Sequence, residues 1–154
     1  MSRTQISPIK PLAIPSLELQ AAVMGSRLAR HIKKEHSLEI NKTFFWSDSR
    51  IVLCWLRSET KRFKTFIAHR MEEIQENSNI SDWHWVPSSM NVADEATRST
   101  KKTNLNIEDS WFQGSKFLDL NEELWPESDK NVSCISTEEI EKSELKQDFI
   151  LLHC

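Results

Sequence analysis

The sequence predicts an α/β layer fold that is short of strands and ends in an acidic, largely disordered tail. Three observations carry this expectation. The patterns run helix, strand–helix, helix, strand–helix along the chain, an order that places helices against a sheet. Only two convincing strands and one doubtful one are present, fewer than a parallel sheet needs. Charge reverses in mid-chain: residues 1–103 hold 16 Lys+Arg and 11 Asp+Glu, net +5, and residues 104–154 hold 4 and 12, net −8. The reversal sets a boundary near Thr103.

Each element has its own signal. Residues 3–9 (RTQISPI) read as a short extended stretch, and Pro11 and Pro15 follow. A helix is expected from Pro15-Ser16, because proline suits the first helical position and serine caps. Leu17, Ala21, Met24, Leu28 and Ile32 form its apolar stripe, beside a second row of Glu18, Ala22, Gly25 and Ala29. The small residues of that row suit a close approach to a sheet. KTFFWS at 42–47 reads as a buried strand. Asp48-Ser49 then caps the apolar helix at 51–56, and Phe63, Ile67, Met71 and Ile74 mark another helix ending near 77–79. Residues 82–86 alternate Trp83 and Trp85 with polar neighbours, as a half-buried strand does. Asn91 caps a short helix through Arg98. Trp46, Trp55, Trp83 and Trp85 are expected in the core.

Composition removes several function classes. With two glycines in 154 residues, Gly25 and Gly114, the chain holds neither a GxGxxG loop nor a P-loop. No apolar run is long enough to span a membrane, and Met1-Ser-Arg-Thr-Gln has no apolar core of a secretory signal. Cys54, Cys134 and Cys154 form no CxxC pair, which argues against a zinc ribbon or a disulfide scaffold and fits a reducing compartment. The expected location is intracellular, cytoplasmic or nuclear.

Three acids are expected at comparable places: Glu18 in the first turn of the first helix, Asp48 at a strand-to-helix turn, and Asp94 in the first turn of the last helix. In open α/β sheets, sites gather outside the carboxyl ends of strands. A carboxylate cluster there suits Mg²⁺, which keeps waters and takes phosphate oxygens. Two such ions clamp the attacking and leaving oxygens of a phosphodiester. Each acid also has a bland reading. A first-turn acid complements the helix dipole, worth roughly 0.3–1 kcal/mol, and Asp48 can serve as an N-cap.

The segments IKPLAIPSLELQAAVMGSRLA, KTFFWSDSRIVLCWLRS, RFKTFIAHRMEEI and WHWVPSSMNVADEATR closely resemble the ribonuclease-H-like region of BEL/Pao-type retrotransposon Pol polyproteins. WFQGSKFLDLNEELWP resembles the stretch leading toward the integrase. The likeness runs over residues 2–126. It implies an incomplete ribonuclease-H-like mixed sheet with flanking helices at 1–103, a linker segment at 104–126 and the acidic tail at 127–154. It further implies hydrolysis of the RNA strand of RNA–DNA hybrids with two Mg²⁺ ions. Of the four family acids, the second, third and fourth match Glu18, Asp48 and Asp94. The first lies on a strand upstream of the matching segment, so the chain is expected to lack it and to bind metal weakly. The loop before the last acid reads Pro87-Ser88-Ser89-Met90, where cellular enzymes place a histidine. The implied partners are an RNA–DNA hybrid or other nucleic acid, an upstream reverse transcriptase and a downstream integrase segment, with no membrane.

Among the other side chains, Arg57, Lys61, Arg62 and Lys64, with Arg70 nearby, crowd one basic stretch suited to a nucleic-acid backbone. Phe63 and Phe66 are spaced for helix packing rather than base stacking. His31, His36, His69 and His84 lack the CxxC partner of a zinc module. Asp48-Ser49-Arg50 lacks the glycine of an aspartic peptidase loop. Three functions follow: a ribonuclease H fragment inactive alone, a nuclease completed by an upstream acid, or a non-catalytic nucleic-acid-binding or scaffold module.

Overall fold

Helix α1 (Ile14–Glu35) is the longest element of the computed structural model, which describes residues 13–58, 63, 65–94, 107 and 110–126. The helix starts one residue before Pro15. Ala13 is its N-cap, and no side chain caps it. Ser16 therefore lies inside the first turn rather than capping it. Lys33 and Lys34 sit in the last turn, where cations suit the helix dipole.

The buried face of α1 is not the expected stripe. Leu19, Ala22, Val23 and Ser26 are buried, whereas Ala21 is exposed and Leu17, Met24, Leu28 and Ile32 are half-buried. Periodicity finds an apolar face but does not say which neighbour will cover it. Here α1 packs mainly on α3 and then on α2, and those contacts select the Leu19–Val23–Ser26 row. Ser26 is tolerated there because its hydroxyl donates to the Val23 carbonyl at 2.9 Å. A Cβ placed on Gly25 meets nothing within 4 Å, so that glycine serves no close approach.

Strand β1 (Phe45–Ser47) and strand β2 (Trp83–Trp85) pair in parallel, with Phe45 opposite Trp83, Trp46 opposite His84 and Ser47 opposite Trp85. Both are shorter than their sequence patterns. Parallel strands need a crossover, which α2 (Arg50–Arg57) and α3 (Thr65–Asn77) supply. Five consecutive residues of α2, Val52 to Leu56, are buried, the pattern of a helix covered nearly all round. On α3, Met71 and Ile74 are fully buried. The Ser78 hydroxyl ends α3 by donating to the Ile74 carbonyl at 2.7 Å and accepts the Trp83 indole N–H at 2.9 Å. One serine thus ties the helix end to β2.

The core lies on the helix side of the sheet, where Leu19, Val23, Phe45, Val52, Leu53, Trp55, Leu56, Met71, Ile74 and Trp83 form one cluster. The Phe45 and Trp83 rings stack at 4.5 Å. Phe63 packs against this core and approaches Trp55 at 6.1 Å, as its spacing implies. Trp46 points to the opposite face and is only half-buried. There it meets Phe117 at 4.7 Å and Trp125 at 5.2 Å. Residues 115–125 are held on that face by a Lys42–Glu122 ion pair at 3.0 Å and by the Ser115 hydroxyl on the Met90 carbonyl.

The result is a mostly helical α/β arrangement with a small parallel sheet, consistent with an incomplete ribonuclease-H-like fold. Among the described residues no helix is long and apolar enough to cross a membrane. The extended stretch at 3–9, the end of the helix expected through Arg98, and the acidic tail lie outside the described residues. So do Lys61, Arg62 and Lys64.

Candidate active site

Because β1 and β2 run in parallel, their carboxyl ends share one edge, the edge where α/β sheets place their sites. Asp48 follows β1 directly. Val86, Pro87 and Ser88 follow β2, and the Ser88 hydroxyl donates to Asp48 Oδ2 at 3.2 Å. Ser49, not Asp48, is the N-cap of α2: its Oγ accepts the Val52 N–H at 3.3 Å. The carboxylate of Asp48 is therefore not spent on capping.

Glu18 reaches the same edge from α1. It is the fifth residue of that helix, and no acid lies in the first turn, so the dipole reading does not account for it. The Ser49 hydroxyl donates to Glu18 Oε2 at 2.5 Å. Partial burial, the largest cause, raises the Glu18 carboxyl above its usual value. The Ser49 hydrogen bond pulls it back, and the charge of Asp48 adds to the rise. Two carboxylates thus face one another's field, joined by a serine that caps one helix and grips the other. Sequence reasoning found Glu18 and Asp48 but missed the parts of Ser49 and Ser88. A serine directly after an acid at a strand end was the available signal for the first. Nothing in the sequence signalled the second.

Asp94 lies in a 3-10 turn, Val92–Asp94. Asn91 caps this turn as expected, with its Oδ1 accepting the Ala93 N–H at 3.2 Å. Among the described residues no group of three His, Cys, Asp or Glu side chains is placed to hold a metal ion. The structure thus brings Glu18 and Asp48 together without gathering all three acids. The donor set of the pair nonetheless suits Mg²⁺: two hard carboxylates whose mutual field a dication would relieve. Mg²⁺ is commonly held by one or two carboxylates plus waters and substrate phosphate.

Of the basic stretch, Arg57 and Arg70 are among the described residues. Arg57 is exposed at the end of α2. Partial burial, then the charge of Arg57, lowers the His84 imidazole below its usual value on the outer face of the sheet. Arg70 sits in a cleft of about 320 Å³ between α1 and α3, lined by Gln20, Val23, Arg27, His69 and Glu73. Its guanidinium lies 3.4 Å from the Phe66 ring, and its Nε donates to Gln20 Oε1 at 2.9 Å. Arg27 forks onto both carboxylate oxygens of Glu73. This cleft is a set of cross-links between two helices.

Comparison with known proteins bears on the acid edge. Residues 1–49 match the family model of the Pao retrotransposon-like RNaseH-like domain. No curated protein and no solved structure matches the chain. The matched stretch ends just past Asp48, so it contains both carboxylates that the fold brings together. The stretch that supplies Glu18 and Asp48 is thus similar to a Pao retrotransposon-like RNaseH-like domain, over 49 of the chain's 154 residues.

Proposed function

We propose that this chain is the ribonuclease-H-like part of a BEL/Pao-type Pol polyprotein. In the full element it would hydrolyse the RNA strand of an RNA–DNA hybrid, flanked by reverse transcriptase and integrase segments. The observation that carries the reading is the Glu18–Asp48 pair at the carboxyl edge of the parallel strands, within the family match. Glu18 and Asp48 would hold Mg²⁺, with waters and substrate phosphate oxygens completing its shell. Bound there, the metal supplies a Lewis acid and an activated water for phosphodiester hydrolysis. The protein's part is to fix the two carboxylates. Ser49 holds Glu18 and Ser88 holds Asp48, so neither rotates away when phosphate enters.

The chain by itself is proposed to be a poor nuclease. Among the described residues β1 has one neighbour, and an acid-bearing strand supplied by the rest of the polyprotein would complete the site. A second reading has its own support. The Ser49–Glu18 hydrogen bond also ties α1 to the start of α2, which a non-catalytic nucleic-acid-binding or scaffold module would equally use.

One titration separates them. Adding Mg²⁺ should shift the amide NMR signals of Glu18, Asp48 and Ser49, and Asp48→Asn should abolish the shift. Hybrid cleavage by the chain alone should stay near background. No metal response at these residues would favour the scaffold, and robust Mg²⁺-dependent cleavage lost in Asp48→Asn would show that the chain needs no further acid.

A further inference from the structure

One hydrogen bond from an exposed turn is a weak way to fix a carboxylate, and Ser88 grips Asp48 from such a turn. Ser88, Ser89 and Met90 form a single turn of 3-10 helix, and all three are exposed. Segments of that kind open easily. The turn needs its own restraint if Ser88 is to stay on Asp48, 3.2 Å away. The Ser115 hydroxyl supplies one. It donates at 2.5 Å to the carbonyl of Met90, the last residue of the same turn.

Ser115 is itself held from both sides. It is the N-cap residue of the 3-10 turn Lys116–Asp119, yet its side chain makes no capping bond there. The hydroxyl goes to Met90 instead. Just before it, Gly114 has a φ of 77°, a conformation glycine adopts at little cost and other residues do not. That glycine sets the direction in which the chain leaves the short helix Ser110–Gln113, which lies against the Val92–Asp94 turn. Two residues after Ser115, Phe117 is buried and meets Trp46 at 4.7 Å. Farther on, Glu122 pairs with Lys42 and Trp125 packs on Phe44, both at the amino end of β1. Residues 115–125 thus form a strap across the outer face of the sheet, from the edge that carries Asp48 to the opposite one.

We propose that Ser115 is a positioning residue for the acid edge. Anchored by Phe117, it fixes the Ser88–Met90 turn and, through Ser88, the orientation of the Asp48 carboxylate. The functional meaning of this rests on the nuclease reading above. It makes the strap beyond the sheet a part of the site.

The test is NMR on the full chain, first without metal. The three-bond couplings of Asp48 should report one χ1 rotamer in wild type and averaging in Ser115→Ala. Gly114→Ala strains the entry to Ser115 and should do the same. Ser115→Thr keeps a hydroxyl and should restore the single rotamer. Lys42→Ala loosens the far end of the strap and should leave Asp48 as in wild type. A Mg²⁺ titration followed at the Asp48 amide should then show weaker binding in Ser115→Ala, by up to about tenfold, the lower end for losing a group that supports a metal ligand. Unchanged couplings in Ser115→Ala would overturn the assignment and leave the nuclease reading standing. A lowered melting temperature with Asp48 still in one rotamer would overturn it too, since Ser115 would then be a structural brace. Averaging in Ser115→Ala, in a protein whose wild type shows no Mg²⁺ response, would uphold the positioning of Asp48 and sink the nuclease reading.

Discussion

Helix α1 carries charged groups on two sides, and the two sides are built on opposite logic. Toward α3, Arg27 meets Glu73, Arg30 donates to Asn77 and Arg70 donates to Gln20. Opposite charges meet there, and the Arg27 hydrogen bond holds Glu73 below its usual carboxylate range. Toward α2, Glu18 is pushed up chiefly by partial burial, and it lies in the field of Asp48, a like charge that adds to the rise. The first side follows the ordinary rules of a stable protein. The second breaks them within hydrogen-bond reach of two serines. Local violations of that kind are expected where a site has been built.

Leu19 anchors both sides. It is fully buried, one residue from Glu18 and one turn from Val23 in the cleft. Leu19→Ala should lower stability by about 2–5 kcal/mol, read by urea unfolding, and should loosen both sides at once. A loss confined to one side, seen by hydrogen exchange, would mean that α1 is not a common frame.

Ser49→Ala gives the next largest effect and should act only on the acid side. It removes the α2 cap, worth about 0.5–2 kcal/mol, and releases Glu18. Thermal melts should show the loss, and the Arg27–Glu73 side should keep its exchange protection. Ser49→Thr should restore the cap. Full stability in Ser49→Ala would mean that the cap contributes nothing here.

The ion pair is smaller. A double-mutant cycle on Arg27→Ala and Glu73→Ala should give a coupling of about 0.2–1 kcal/mol, shrinking with salt. Both side chains keep substantial exposure, 54% and 32%, which limits the value. As Glu73 is held below its usual range, this contribution is present above the unfolded carboxylate pKa and lost as pH falls through the folded one. A coupling unaffected by acid would contradict the assignment.

Much of this arrangement was legible in the sequence, and what was hidden has physical reasons. The element order, the α3 span and the Asn91 cap follow from local chemistry: apolar spacing, breakers and a short polar side chain before a turn. Glu18 and Asp48 were visible through the family resemblance. The side of α1 that faces inward was not, because Leu17, Met24, Leu28 and Ile32 make a stronger apolar row than Leu19, Val23 and Ser26. Only the position of α3 decides between them. Ser88 on Asp48 spans 40 positions and Arg50 on Trp85 spans 35. Such contacts exist only after the crossover has closed. The packing of Trp125 against Phe44 at 4.8 Å is hidden for the same reason.

The smallest expected effect has the opposite sign to all the others. Glu18 has a folded pKa above its unfolded value, chiefly through partial burial. Its protonated form therefore favours the fold. That contribution is complete below the unfolded carboxylate pKa and is lost as pH rises through the raised folded pKa. At neutral pH the ionised group is a small liability. Gln at this position keeps an acceptor for the Ser49 hydroxyl and removes the charge facing Asp48. Glu18→Gln should thus be more stable than wild type at pH 7, by a few tenths of a kcal/mol once solvent screening of a half-exposed group is allowed for. The gain should vanish near pH 4, where wild type carries the proton itself. Mg²⁺ should reverse the order, since a bound ion stabilises only the chain that retains both carboxylates, by about 1.4 kcal/mol at ten times its Kd. Urea unfolding of the two proteins at pH 4 and pH 7, with and without Mg²⁺, checks all three statements. A Glu18→Gln variant less stable than wild type at pH 7 without metal would mean that Glu18 is a structural acid like Glu73, and the contrast between the two sides of α1 would fall.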